Sequence, residues 1–136
     1  MLTVSQAQMD KMAQLMDQNL AREIAADLRV AHAATTRQFG DETFLTMVEI
    51  GIVKARQYNC TEKYAIAMFS ELMLIVGPCF NEYPLVCCYL EASGINPDAR
   101  VDNLLRGMTE AQWEKAKQHV GSSDWPALIR RHCHEQ

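Results

Sequence analysis

Thr61-Glu62-Lys63-Tyr64-Ala65-Ile66-Ala67-Met68-Phe69-Ser70-Glu71-Leu72-Met73-Leu74-Ile75-Val76-Gly77-Pro78 is the stretch that decides the fold. Thr61 is placed as a helix N-cap, with Glu62 in the first turn where the macrodipole favours a carboxylate. The residues that follow are apolar on nearly every side, which predicts a helix enclosed by protein. Gly77-Pro78 stops it. From Tyr64 to Val76 there are only thirteen residues, Ser70 and Glu71 among them. A membrane span needs about 20 apolar residues, so this is expected as a central buried helix over 62–76.

Reading toward the N-terminus, Asp41 opens a helix in which Phe44, Leu45, Val48, Ile52 and Ala55 line one face. Gly51 on the same side offers room for another helix, and Asn59 is a stop that tolerates the left-handed conformation. Ala33 to Gly40 reads as a weak connector. Ahead of it, Ser5 and Gln8 have the spacing of a capping box, with Val4 and Met9 as its hydrophobic staple. Met9, Met12, Met16, Leu20, Ile24 and Leu28 then recur at threes and fours in a helix reaching Ala31. A stripe of repeated fours drifts around a straight helix, so the two ends must face different neighbours unless the helix curves or breaks.

Toward the C-terminus, Pro84 starts a helix to Ser93 that Gly94 ends, and Asn96-Pro97 caps and opens another through Leu105. Thr109 and Gln112 form a second capping box, for a helix to Val120 stopped by Gly121. Asp124 to Cys133 is a short last helix carrying Trp125, Leu128 and Ile129. No segment alternates with the period of a strand. The expectation is an all-α, single-domain bundle over residues 1–136, with six or seven helices around 62–76.

Composition narrows the function classes. The 136 residues are 49% apolar and 22% charged, ordinary for a globular chain. Thirteen basic against seventeen acidic side chains give a formal charge of −4, the wrong balance for a phosphate-backbone binder. Met1–Asp10 has no basic residue ahead of an apolar run, so no signal peptide is expected and the protein is placed in the cytoplasm. Cys60, Cys79, Cys87, Cys88 and Cys133 form no CxxC pair and are expected as small buried apolar residues.

Motifs for chemistry are sparse. Glu71 is the one carboxylate within the apolar run, and it is read as a structural pair or a head reaching water. His132, Cys133 and His134 are adjacent, but alternate residues of a helix do not share a face. Cys79, Cys87 and Cys88 lack the spacing of a structural zinc site. No phosphate loop or nucleophile elbow is present. No enzyme, metal or cofactor is therefore expected. A flexible, polarizable methionine surface suits an adaptable protein interface. Met9, Met12, Met16 and Leu20 are the residues assigned to partner binding, with the partner another protein or a second copy.

Larger blocks of sequence resemble a known family. Gly51-Ile52-Val53-Lys54-Ala55-Arg56-Gln57-Tyr58, Thr61-Glu62, Glu71-Leu72-Met73 and Gly77-Pro78-Cys79-Phe80 are similar to short helical bacterial proteins found with type VI secretion genes, near PAAR-type spike tips and their toxic effectors. The opening Leu2–Asp10 and Pro97–Arg100 are similar too, so the likeness runs from Leu2 to Leu105. Where that family often has an aspartate after Gly-Pro-x-Phe, this chain has Asn81. The resemblance implies an effector chaperone or adaptor that holds an effector or helps load it on the spike tip. The alternative is an immunity protein that neutralises a toxin.

Overall fold

The computed structural model describes residues 5–120 and 125–134, the side chains of 13, 14 and 120 excepted. Val4, Gly121 and Asp124, expected as staple, stop and helix start, lie outside the described residues. Among the described residues there are eight α-helices, one 3-10 turn at Phe80–Glu82 and no strand. The chain is all-α, as its periodicity requires. The helices are α1 (Gln6–Ala31), α2 (Ala33–Thr36), α3 (Asp41–Gln57), α4 (Lys63–Ile75), α5 (Pro84–Leu90), α6 (Pro97–Gly107), α7 (Glu110–Val120) and α8 (Trp125–His134). Seven match the expected helices. The extra one, α2, lies in the segment read as a connector. The chain divides into two compact units, Met1–Glu49 and Ile50–Gln136, with the boundary inside α3.

In the first unit, the Ser5 hydroxyl accepts from the Gln8 N–H at 3.2 Å and the Gln8 side chain accepts from the Ser5 N–H at 2.9 Å. The expected capping box is complete, and it satisfies two N–H groups that a helix start leaves open. α1 then continues for 26 residues without a break. Ala21, Ile24 and Leu28 are buried. The drift anticipated from the sequence is large: at 3.6 residues per turn, the centre of Met9, Met12 and Met16 lies about 120° around the helix from that of Ala21, Ile24 and Leu28.

The turn after α1 is built around Arg29. Its guanidinium donates to the carbonyls of Thr36 and Phe39, each at 2.9 Å, and pairs with Asp41 at 3.1 Å. The same group lies 4.7 Å from the centre of the Phe44 ring, which stacks with Phe39. The Thr36 hydroxyl donates back to the His32 carbonyl, as a helical threonine does when it faces its own backbone. Two carbonyls of this turn are therefore held by one cation, that of Thr36 in addition to its bond from the Phe39 N–H. These contacts tie down Ala33 to Gly40, where the sequence predicts only a weak connector.

The second unit opens with the end of α3. Asn59 is left-handed at φ 66°. Its N–H donates to Arg56 and that of Cys60 to Ala55, the two bonds of a Schellman stop. Gly51 of α3 lies against Ser70 of α4 so closely that any Cβ at Gly51 would meet the serine side chain. The expected close approach is thus real, and α4 is the partner. Lys54 reaches the Pro78 carbonyl at 2.7 Å, tying α3 to the turn that ends α4.

α4 buries Ala65, Ile66, Phe69, Ser70, Leu72 and Met73. Phe69 stands between Tyr58 and Phe80, with ring centres 5.8 and 4.9 Å away. Two corrections apply to this helix. It is not enclosed on every side, since Tyr64 and Ile75 are 52% and 41% exposed. Met68 and Glu71, of intermediate exposure, share that face. Nor is Thr61 the N-cap: Glu62 holds that position and makes no side-chain cap. The carboxylate that serves this helix start comes from Asp98 of α6.

α5 starts at Pro84 as expected but ends at Leu90, short of Ser93, and Gly94 is left-handed in the turn that follows. The Asn96 side chain caps α6 by accepting from the Asp98 N–H at 3.0 Å. Arg100 donates to the Leu90 carbonyl at 3.1 Å, satisfying an acceptor at the end of α5. The Thr109–Gln112 capping box is present in both directions. α8 has no buried residue.

Candidate functional site

The expected partner surface falls on the first turns of α1. Met9, Met12 and Met16 are 54%, 58% and 68% exposed. No described side chain between Ser5 and Asn19 is buried. The three methionines therefore share an exposed face. Leu20, the fourth residue assigned to the surface, is half-buried at its edge. Leu15 was missed, and it is 53% exposed. Its signal was present at three residues beyond Met12, a spacing that places the two on neighbouring positions of a helix surface.

The physical meaning of this face lies in its direction. An amphipathic helix with one apolar stripe buries that stripe in its own core. α1 carries two, because the drift turns the methionines away from the side that Ala21, Ile24 and Leu28 bury. Contiguous exposed apolar side chains mark interaction surfaces more often than scattered ones do. Full burial of a methionine is worth about 1.5–3 kcal/mol. Thioethers on unbranched side chains repack against differently shaped partners.

A buried polar site lies elsewhere, at Asp98, which is 7% exposed. One carboxylate oxygen accepts from the N–H groups of Thr61 at 2.8 Å and Glu62 at 3.0 Å, and the other from the Thr61 hydroxyl at 3.0 Å. Burial raises the carboxyl pKa, but these three hydrogen bonds outweigh it and hold the group below the ordinary 3.8 of an aspartate. These bonds run to the chain's own backbone and hydroxyl, so Asp98 is a clamp between two helix starts.

The cysteines divide by environment. Cys60 is buried, and burial together with the Asp98 carboxylate pushes its thiol up to about 11, against a smaller opposing effect of Arg100. Cys79 and Cys87 are intermediate, while Cys88 and Cys133 are exposed. The expectation of five buried cysteines therefore holds only at Cys60. Cys88 lies on the side of α5 opposite the buried Val86 and Leu90, and Cys133 belongs to α8, which has no buried residue among those described. The Cys87 thiol is raised by partial burial and then by its hydrogen bond to Glu91 one turn on.

Glu71 is of intermediate exposure, so it is not a sealed-in carboxylate. Asn81 donates to the Tyr58 hydroxyl at 3.1 Å, and burial raises the phenol above its ordinary value despite that bond. Among the described residues, no three His, Cys, Asp or Glu side chains gather as metal donors, and no helix is long and apolar enough to cross a membrane. No protein-family model, curated protein or solved structure matches the chain.

Proposed function

We propose that this chain is a non-enzymatic binding protein, an effector chaperone or adaptor of a type VI secretion system. In this reading it works in the cytoplasm, holding an effector or helping to load it on the spike tip. The exposed methionine face of α1 carries the reading. A partner's apolar segment laid against Met9, Met12, Leu15 and Met16 gains burial that this chain leaves open. The sequence resemblance from Gly51 to Phe80 supplies the secretion context.

Co-expression with the product of the neighbouring effector gene tests it. A chaperone raises the soluble level of the effector's non-catalytic region and binds that region in a pull-down. The Met12→Glu, Met16→Glu double variant then stays folded and loses both effects. Binding confined to the toxin domain, with loss of its toxicity, would establish an immunity protein instead. If the double variant keeps every association, the α1 face is not the binding surface.

A further inference from the structure

We draw no further inference here: the strongest candidate, the partly exposed apolar face that Tyr64, Met68 and Ile75 form along α4, is an unpartnered helix face, and nothing in the structure shows what covers it.

Discussion

Asp98 accepts hydrogen bonds from the Thr61 backbone N–H at 2.8 Å and from the Thr61 hydroxyl at 3.0 Å, across 37 positions of sequence. One carboxylate thus fixes the start of α4 from the first turn of α6. Its folded pKa is depressed, so its stabilising effect is complete above the ordinary aspartate value of 3.8 and fades as pH falls through the lower folded value. Asp98→Asn should lose about 1–3 kcal/mol at neutral pH. The deficit relative to the parent should be constant between pH 6 and 8 and should shrink below pH 3.8. Urea midpoints across that range check it. A deficit that grows on acidification would refute the assignment.

Gly51→Ala tests the contact between α3 and α4. Alanine gains about 1 kcal/mol of helix propensity over glycine. Here its methyl would collide with the Ser70 hydroxyl and press on Ser70 Cβ and Cα, which cannot swing away and would have to give by a few tenths of an ångström. Overpacking costs about 1–3 kcal/mol, so the net change should be destabilising. Pairing the substitution with Ser70→Gly should restore part of the loss. A gain in the thermal midpoint of Gly51→Ala alone would show that the helices are farther apart.

Arg29→Met should destabilise by about 1–3 kcal/mol, because two backbone carbonyls lose a charged donor. Arg29→Lys should recover little, since a single ammonium cannot reproduce the planar fork. The pair with Asp41 contributes less, as that carboxylate is fully exposed. Asp41→Asn should therefore fall within about 0.5 kcal/mol of the parent.

Thiol labelling should separate the cysteines. At pH 7.5, Cys88 and Cys133 should react first with an aromatic disulfide reagent, because both are exposed. Cys60, whose thiol burial pushes up to about 11, should react only when the protein unfolds. Mass spectrometry of the labelled peptides reads the order. Early labelling of Cys60 would contradict its burial.

Met12→Glu, Met16→Glu should leave helicity and the unfolding midpoint close to those of the parent. Both side chains are more than half exposed, and such surface changes stay within about 0.5 kcal/mol each. A joint fall in helicity and stability would return the methionines to the core.

Local sequence by itself determined the helices and most of their ends. Ser5–Gln8, Thr109–Gln112, Asn96-Pro97 and Asn59 act within a turn of where they stand, so spacing alone reveals them. Periodicity likewise identified α1 and its three methionines, although it joined them to Ile24 and Leu28 in one stripe. Only the tertiary structure decided which part of that stripe is covered, because burial depends on what lies opposite and not on the helix itself. Asp98, Arg29 and Gly51 belong to the same class. Each acts on a group brought near by the fold, at separations from 7 to 37 positions for the two charged residues, and no local pattern encodes such a partner. The exposed Tyr64 and Ile75 show it too: an apolar residue states its preference for burial, and packing geometry decides whether a neighbour satisfies it.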